Sequence, residues 1–448
     1  MSKHSNDEIE SFLLEEYAAR SNNEFLNHRN NNETIEQDRM EYQHDRDRIV
    51  HSRAFRRLMH KTQIFNANTG DHYRNRLTHT LEVNQIARSI GKKLSLNDEL
   101  IESIALGHDL GHTPYGHIGE RTLHLIISGQ KFINDSEIQI NNFGGFKHNY
   151  QGIQLVDNIE KSNNAYNGIN LTLATREGIL KHTGSQMKMA TYNDLSGKIE
   201  IIKQKVNYSS LDLKYIQVDN PSFTLEGQVV AISDEIAQCT HDLEDGFRAG
   251  VIKMSHLLES ELINNVCDFY RIDFNKLEKT VDIRNTLIKK TIGFLINNVV
   301  TNSLIKINGL KKIPKFKDEN DVFKDQIISF STSGEDGNVK EMHDKLSKII
   351  STLVVASQQV SQSDAKAEYI ISRLFKAYFI HPQQLPDYIL ERYFSKSGRS
   401  LNRLKIIDII KELQTDPEFI RLICDHISCM TDQYAAREYI KLYEPEYF

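Results

Sequence analysis

Gly107-His108-Asp109-Leu110-Gly111-His112-Thr113-Pro114-Tyr115-Gly116-His117-Ile118-Gly119-Glu120 is the stretch that decides how this chain folds and what chemistry it can support. Three histidines and two carboxylates lie within thirteen positions of it, separated by small residues and one proline. Imidazole and carboxylate groups together supply metal ligands and groups that move protons. A tightly packed helix has no use for this mixture, so the stretch predicts a metal-dependent site.

Further candidate ligands lie on both sides of this stretch. His79 precedes Val83 by one helical turn and shares its apolar stripe, so the ring is expected to point inward. His108 follows the last apolar turn of the next predicted helix, which places it on the buried side. Asp234 lies in a helical pattern over about residues 225–247, opposite the apolar stripe, where a solvated surface residue is the alternative.

The predicted metal site consists of His79, His108, Asp109 and Asp234. Two imidazoles and two carboxylates form a mixed nitrogen and oxygen set that leaves positions for water. Such a set suits one divalent ion, Mn, Mg, Fe, Ni or Zn, and excludes a soft thiolate site. The cysteines show no CxxC spacing and are expected to be reduced, mostly structural thiols. They are Cys239, Cys267, Cys424 and Cys429.

The composition is typical of a soluble globular protein. The chain has 448 residues, of which 39% are hydrophobic, and a formal net charge of −6. No apolar run approaches the roughly 18 residues that span a bilayer. The start Met1-Ser2-Lys3-His4 lacks the hydrophobic stretch of a signal peptide, so we expect a cytoplasmic location. The negative charge argues against nucleic acid as the main partner, although local basic patches leave such contacts open.

Helical periodicity dominates the chain, and we predict an all-α fold in three parts. Residues 1–40 are predicted to form an N-terminal helix and a polar loop, and residues 41–250 a helical catalytic core. A basic insertion near residues 184–222 interrupts this core, and residues 251–448 are predicted to form a C-terminal helical lobe. Within this lobe, residues 326–331 favour a short strand before a glycine turn.

Several motifs beyond the metal ligands are shared with a known family. They are Asp45–Leu58 (DRDRIVHSRAFRRL) with Lys61-Thr62-Gln63, Phe146–Gly152 (FKHNYQG), Asp234-Glu235-Ile236-Ala237, Thr240–Asp245 (THDLED) and Met430–Ala435 (MTDQYA). Together with His79 and the His108-Asp109 pair, they resemble the HD-domain deoxynucleoside triphosphate triphosphohydrolases, the dGTPases. The resemblance covers most of residues 41–250 and touches the C-terminal lobe. It implies an HD-domain helical core.

The resemblance implies a metal-dependent reaction in which water attacks the α-phosphorus of a deoxynucleoside triphosphate (dNTP). The products are the deoxynucleoside and intact inorganic triphosphate. The substrate carries about four negative charges, so cationic side chains must help one metal ion to neutralise it. Arg76, three positions before His79, is the first candidate, with a surface ion pair as its alternative role. By similarity to the family, Asn149 and Lys181 also hold the phosphates.

Four further residues are the predicted acid, base and orienting groups. His117 and Glu120 lie three positions apart, so on a helix they face the same way and the carboxylate raises the pKa of the ring. We assign His117 as the general acid for the departing 5′ oxygen and Glu120 as its orienting partner. His112 and His148 are expected to contact the phosphate or the attacking water. Packing of the loop around Pro114 is the alternative role for His112 and His117.

Sugar selection is the point at which the chain departs from the family. A tyrosine commonly lies one helical turn after the last aspartate ligand, beneath the deoxyribose, and this chain has Gln238 there. Gln63 and Asp242 match residues that relatives use around the 3′-hydroxyl. Because an amide replaces a flat apolar wall, we expect weaker discrimination against ribonucleotides.

Other functions stay open at this point. The nearest alternative is another HD-domain phosphohydrolase, acting on cyclic nucleotides or guanosine tetraphosphate. The guanosine tetraphosphate family typically has an acidic pair after its His-Asp, whereas Leu110-Gly111-His112 follows here. A dinuclear phosphodiesterase needs more ligands, which His112 or His148 could supply. A dNTP-binding sensor with little turnover is an alternative of a different class, although binding alone does not require the proton donor His117.

The resemblance also concerns assembly. Relatives are commonly tetramers or hexamers, and some respond to a dNTP at a second site. We therefore expect a homo-oligomer, while an allosteric dNTP stays open, and periodicity alone reveals neither.

Overall fold

The structure is a computed structural model that describes residues 6–33, 39–64, 74–131, 133, 140, 142–161, 165–183, 192–193, 199–200, 213–273, 283–334, 336–396 and 398–445. The helices of its first half are α1 Asn6–Leu13, α2 Glu41–His51, α3 Arg53–Arg57, α4 Arg76–Lys93, α5 Asp98–Gly107, α6 His117–Ile127, α7 His148–Gln154, α8 Leu173–Lys181 and α9 Leu225–Arg248. Those of the second half are α10 Met254–Leu258, α11 Glu261–Tyr270, α12 Lys289–Asn308, α13 Val339–Val355, α14 Gln358–Ile380, α15 Asp387–Lys396, α16 Arg403–Ile406, α17 Ile410–Thr415, α18 Pro417–Ser428 and α19 Asp432–Tyr443. None of these helices is long and apolar enough to cross a membrane.

Short elements complete the described chain. A two-residue antiparallel pair joins β1 Tyr192–Asn193 to β2 Ile199–Glu200. The remaining turns are 3₁₀ helices over Leu58–His60, Pro382–Gln384 and Ile407–Ile409, and π segments over Leu155–Ile159 and Ile283–Ile288. The all-α prediction is therefore confirmed. Most of the predicted basic insertion lies outside the described residues.

The strand predicted over residues 326–331 is wrong. This segment is irregular, because no neighbouring strand is available and side chains bind its backbone instead. The backbone amides of Ile327 and Ile328 donate to Gln228 Oε1 at 2.8 and 3.1 Å. The amide of Ser331 donates to Asn298 Oδ1 at 3.0 Å. The apolar residues of this segment, Ile327, Ile328 and Phe330, are buried.

Side-chain caps fix where the helices that carry the predicted ligands begin. Asn75 accepts from the amide of Thr78 at the start of α4, so His79 lies in the first turn. Asn97 accepts from two amides at the start of α5, and Thr224 accepts from the amide of Gly227 at the start of α9. Such caps satisfy amides that lack an intrahelical partner, and each stabilises a helix by about 1 kcal/mol.

The buried apolar residues form two clusters, and both extend past residue 250. The first joins α4, α5, α8 and α9 to buried residues as far along the chain as Val360. The second joins Leu123, Ile126 and Ile127 of α6 to buried residues of α14, α15 and α18. In the described structure the C-terminal helices therefore share their cores with the helices that carry the predicted metal ligands. The domain boundary near residue 250 stays a prediction.

The loop before α6 packs directly on the backbone of α7. A Cβ atom on Gly111 would lie 2.0 Å from His148 O and 2.3 Å from Gly152 N. Backbone atoms at that distance leave no room for any side chain. Gly111 thereby brings the segment after Asp109 against the helix that begins at His148.

Candidate metal centre and active site

Four side chains from three parts of the fold meet at one point. His79 comes from the first turn of α4, His108 and Asp109 follow the end of α5, and Asp234 comes from α9. His79 Nε2 lies 3.0 Å from Asp234 Oδ1. His108 Nε2 lies 3.5 Å from Asp109 Oδ1 and 3.8 Å from Asp234 Oδ1. His79 is 1% exposed, as its stripe predicted, and the Asp234 side chain is only 18% exposed, so it is not an ordinary surface residue.

The hydrogen bonds of His108 identify which ring nitrogen is available. Its Nδ1–H donates to Ala105 O at 2.7 Å, so Nε2 carries a lone pair. That Nε2 is buried and has no hydrogen-bond partner among the described residues, yet it faces two carboxylates. In the neutral ring this lone pair is repelled by the carboxylate oxygens unless a proton or a metal cation lies between them. The donor set therefore fits one divalent metal ion.

Both carboxylates of the set are ionised. Burial raises the pKa of Asp234, but His79 and His108 more than compensate and hold it at about 2. Burial acts likewise on Asp109, whose pKa is nevertheless kept well below its ordinary value by His112 and Arg76. A charged oxygen is the ligand that a hard divalent cation prefers.

Arg76 is a buried residue of the site, so the alternative of a surface ion pair is excluded. It is 1% exposed, and its Nη1 donates to Asp109 Oδ2 at 2.8 Å. Its Nε and Nη2 have no hydrogen-bond partner among the described residues. A Cβ atom on Gly116 would lie 3.1 Å from Nη2, so the guanidinium faces the loop before α6. Arg76 orients Asp109, a predicted metal ligand, and retains donors for an anion.

Three predicted acid–base histidines form one cluster beside Asp109. His112 Nε2 lies 3.1 Å from Asp109 Oδ1, and the His112 ring stacks on that of His148 with centroids 3.8 Å apart. The ring centroid of His117 lies 5.3 Å from that of His112. Because His112 donates from Nε2, its Nδ1 is a lone pair, and it has no partner among the described residues.

The predicted pairing of Glu120 with His117 needs correction. Glu120 is 1% exposed and accepts hydrogen bonds from Lys147 Nζ at 3.0 Å and His148 Nδ1 at 2.5 Å. It therefore orients His148 rather than His117, because the ammonium group and ring at the start of α7 bind it directly. Although the His117 side chain is exposed, the protein groups packed around its ring desolvate it and lower its pKa, and Glu120 only partly opposes this shift.

His148 contacts Glu120 through one ring nitrogen and a further histidine, His182, through the other. The two Nε2 atoms are 3.2 Å apart, and His182 Nδ1–H donates to Ile179 O at 2.7 Å. Since both outer Nδ1 atoms act as donors, the two Nε2 atoms share a hydrogen bond only when one of the rings is protonated. Burial lowers the pKa of both rings, that of His182 to about 3, so the neutral rings have two opposed Nε2 lone pairs at pH 7.

The two predicted phosphate ligands, Asn149 and Lys181, have protein partners in the described structure, and their phosphate role stays a prediction. Asn149 Nδ2 donates to Leu180 O at 2.9 Å and Thr183 Oγ1 at 3.2 Å, so its amide hydrogens are used. Lys181 is 1% exposed, and its Nζ lies 2.9 Å from Glu177 Oε1. A buried carboxylate requires this cation, so the charge of Lys181 serves the interior of the fold.

A cavity of about 640 Å³ adjoins the ligand set and includes Gln238 in its wall. Its lining also includes Asp234, His182 and Lys340. Gln238 is exposed on this wall, one helical turn after Asp234. The side chain predicted to take the place of a sugar-stacking tyrosine therefore faces open space beside the metal site.

Gln63 and Asp242, the other predicted sugar contacts, differ in what they offer a ligand. Gln63 Oε1 is buried and has no partner among the described residues, which leaves an acceptor available. Burial, with Asp245 and Asp234 nearby, raises the pKa of Asp242 well above its usual value. A raised pKa favours the protonated form of Asp242, which can donate to a hydroxyl oxygen.

Sequence reasoning missed four polar residues around the site: Glu82, Lys147, His182 and His241. His182 follows the end of α8 as His108 follows the end of α5, and this position is the signal that could have identified it. Glu82 lies three residues after His79, and His241 lies seven after Asp234. Both spacings return to the same helix face, which was the available signal for these two residues.

Comparison with known proteins agrees with this geometry. A family model of the HD domain matches residues 76–238, and one of a phosphohydrolase-associated domain matches residues 336–441. The chain is 33% identical over 415 residues to a deoxyguanosinetriphosphate triphosphohydrolase-like protein of Geobacter sulfurreducens, covering 92% of this chain and 91% of the relative. A protein of the same name from Pelagibacter ubique is 35% identical over 399 residues, covering 89% of this chain and 92% of the relative. The chain belongs to this family.

Membership in the deoxyguanosinetriphosphate triphosphohydrolase-like family confirms the resemblance seen in the motifs. The HD match begins at Arg76, ends at Gln238 and contains all four predicted metal ligands. The chain is thus an HD-domain phosphohydrolase with a His and Asp cluster that could hold a divalent metal ion.

Proposed function

We propose that this protein hydrolyses dNTPs to the deoxynucleoside and inorganic triphosphate with one divalent metal ion. The metal is held by His79, His108, Asp109 and Asp234. The observation that carries the proposal is the buried, unpartnered His108 Nε2, which faces two carboxylates beside an Arg76 with unused donors. Relatives named for deoxyguanosine triphosphate make dGTP the first substrate to assay.

The protein residues bind the triphosphate and orient the attacking water. A bound divalent ion supplies Lewis-acid polarisation of the α-phosphate. Arg76 donates from Nε and Nη2 to phosphate oxygens, since those two atoms have no partner among the described residues. The Nδ1 lone pair of His112 takes a proton from the attacking water, whose oxygen bonds to the α-phosphorus as the bond to the 5′ oxygen breaks.

His117 supplies the proton that the departing 5′ oxygen takes up. Desolvation by neighbouring protein groups lowers its pKa to about 4 in the ligand-free site, so the ring is neutral at pH 7. The negative charge of a bound triphosphate raises that pKa, so the ring gains its proton together with the substrate. His117 then acts as a general acid only when a dNTP is in place.

A dinuclear HD phosphodiesterase is the second candidate. The potential ligand atoms of His112, His117 and Glu120 lie within 4.8 Å of one another. The same holds for those of His79, His108 and Asp109. A second metal ion there would have to displace Lys147 and His148 from the Glu120 carboxylate. We therefore expect one metal ion per chain, and metal analysis of the Mn-loaded protein distinguishes one from two.

The deciding experiment is anion-exchange analysis of products after incubation with each dNTP and NTP in the presence of Mn or Mg. Deoxynucleoside and intact triphosphate are the expected products. Nucleoside monophosphate and pyrophosphate would contradict the proposal, because that cleavage breaks the other bond of the α-phosphorus. His108→Ala is expected to abolish turnover, whereas His60→Ala, at an exposed histidine, is the matched control and is expected to retain it.

Regulation and assembly are proposals that follow from the same family. If a second dNTP activates the enzyme, we expect turnover of dNTP mixtures but no turnover of any single nucleotide. No turnover under either condition would favour a dNTP sensor. A homo-oligomer, tetrameric or hexameric, is checked by light scattering with and without dNTP, and the cytoplasmic location stays a prediction.

A further inference from the structure

A chain of polar contacts extends from one predicted metal ligand away from the metal. His79 Nδ1 lies 3.2 Å from Nδ1 of His241, and the two rings meet edge to face with an interplanar angle of 84°. The opposite nitrogen of His241, Nε2, bonds to Glu82 Oε2. His241 is 3% exposed, so both of its ring nitrogens are occupied by protein groups inside the fold.

The direction of these hydrogen bonds follows from the carboxylate. Glu82 is the acceptor in both of its contacts, because an ionised carboxylate has no proton to give and its Oε2 faces the Arg74 Nε–H as well as His241 Nε2. His241 therefore donates from Nε2, and in its neutral form it presents a lone pair at Nδ1. That lone pair accepts the Nδ1–H of His79. The proton of His79 is thus kept on the nitrogen that faces away from Asp234.

Glu82 is itself held in place from α9. Arg74 Nε donates to Glu82 Oε2 at 3.0 Å. The same guanidinium donates to Asp245 Oδ1 at 2.9 Å and pairs with Glu244. Glu244 and Asp245 belong to α9, as do His241 and Asp234. Both ends of this series of polar contacts are therefore anchored on one helix. The orientation of Glu82 is fixed from two sides.

We propose that His241 and Glu82 are positioning residues that hold His79 in its Nδ1–H form and present the Nε2 lone pair to the metal ion. The inference rests on the metal-dependent function proposed above. Metal-bound histidines generally donate their second ring nitrogen to an oxygen acceptor, as His108 does to Ala105 O. For His79 the acceptor is instead the imidazole of His241, and the Glu82 carboxylate determines which nitrogen of His241 carries the proton.

A purely structural pair between α4 and α9 would give a different result from a positioning pair. Loss of a structural pair lowers the free energy of unfolding and leaves the metal dissociation constant of the folded protein unchanged. Loss of a positioning pair weakens metal binding in folded protein. Calorimetric titration of the metal-stripped, full-length protein with Mn²⁺, together with its thermal unfolding, separates the two effects.

His241→Leu is expected to weaken Mn²⁺ binding by about 10- to 100-fold, the usual effect of removing such a partner. His241→Gln keeps an acceptor for His79 and a donor for Glu82, so its affinity is expected to lie much closer to wild type. His426→Leu removes a buried histidine of the second core and is the matched control for loss of stability without loss of affinity.

Glu82→Ala tests the outer end of the chain and keeps the proposal testable if His241→Leu fails to fold. Glu82 is 39% exposed at its side chain, so this variant disturbs packing little. It is expected to weaken metal binding in the same direction. The double variant with His241→Leu is expected to bind no more weakly than His241→Leu alone, because both changes break one chain.

Wild-type affinity in folded His241→Leu and Glu82→Ala would overturn the proposal. Absence of saturable Mn²⁺ binding in the wild-type protein, or binding that His108→Ala leaves intact, would overturn both the metal site and the positioning role. If metal binding responds as expected but no dNTP is hydrolysed, only the proposed reaction fails. The two proposals therefore fail by different results.

Discussion

At the scale of single residues, the candidate active site contains buried polar atoms that have no hydrogen-bond partner among the described residues. Most buried polar groups in proteins are hydrogen-bonded. Here His108 Nε2, Arg76 Nε and Nη2, His112 Nδ1 and Gln63 Oε1 have no partner among the described residues. They include two lone pairs, two cationic donors and one amide acceptor. This mixture suits a metal ion and a phosphate ester with a hydroxyl-bearing sugar.

His117→Gln tests the proposed general acid. Glutamine keeps a polar side chain on the cleft but cannot give a proton to the 5′ oxygen, so kcat for dGTP is expected to fall by about 10²- to 10⁴-fold. The Mn²⁺ dissociation constant is expected to stay unchanged, because His117 is not among the four proposed ligands. His60→Gln, at an exposed histidine, is the control. A rate near that of wild type would assign the proton to another group.

Gln238→Tyr tests sugar selection. Gln238 is exposed on the wall of the cavity beside Asp234, where a phenol ring would add a flat apolar surface. The ratio of kcat/KM for GTP to that for dGTP is expected to fall in the variant. Gln433→Tyr, at an exposed position in α19, is the control for a general effect of added tyrosine. Equal ratios in wild type and Gln238→Tyr would refute the role of this residue.

At the scale of elements, the contact between the loop before α6 and α7 is expected to be the least tolerant of change. In Gly111→Ala the new Cβ atom would meet His148 O at 2.0 Å, so backbone must move. We expect a loss of about 1–3 kcal/mol in the free energy of unfolding and weaker metal binding, since Asp109 lies two residues away. Gly293→Ala in α12, where the new atom would meet only Tyr270 Oη at 3.2 Å, is the control. Denaturant unfolding of both variants decides the matter, and equal stability would contradict the expectation.

Local spacing predicted the elements but not their distant partners. Apolar periodicity predicted three helices: the one that carries His79, the one that ends before His108 and the one that carries Asp234. This periodicity is a local property of each segment, so it can be read without knowledge of distant contacts. The partner of Glu120 does not follow, because Lys147 and His148 reach it only after α6 and α7 pack together. The segment 326–331 was misjudged for the same reason. Side chains of distant helices, not a neighbouring strand, bind its backbone.

At the scale of the whole molecule, the site lies where the two cores meet. The helices that supply the metal ligands belong to the first core, whereas α6, which begins at His117 and contains Glu120, packs by its apolar face in the second. The distance between the proposed metal ion and the proposed general acid, His117, therefore depends on how the two cores pack against each other. No pattern within one helix carries that information, which explains why the sequence predicted both groups but not the link between them.

The N-terminal segment is joined to the HD helices through a buried carboxylate, and this joint is expected to be sensitive to pH. Glu226 is fully buried, and its Oε1 accepts from the amides of Ala19 and Asn97, each at 3.0 Å. Burial raises its pKa from 4.5 to about 7, with a further rise from Glu10. The folded protein therefore binds a proton that the unfolded chain loses, so stability falls as pH rises from about 4.5 to 7.

Glu226→Gln removes this titration while its carbonyl oxygen can still accept both amides. The free energy of unfolding of the variant, relative to wild type, is expected to rise between pH 4.5 and 7 by up to about 3 kcal/mol, at roughly 1.4 kcal/mol per pH unit. Urea unfolding across this pH range measures the difference, with Glu259→Gln, at an exposed glutamate, as the control. Parallel curves for wild type and Glu226→Gln would show that ionisation of this carboxylate does not oppose folding. Above pH 7 the difference is expected to level off, because the carboxyl group is then ionised in both the folded and the unfolded protein.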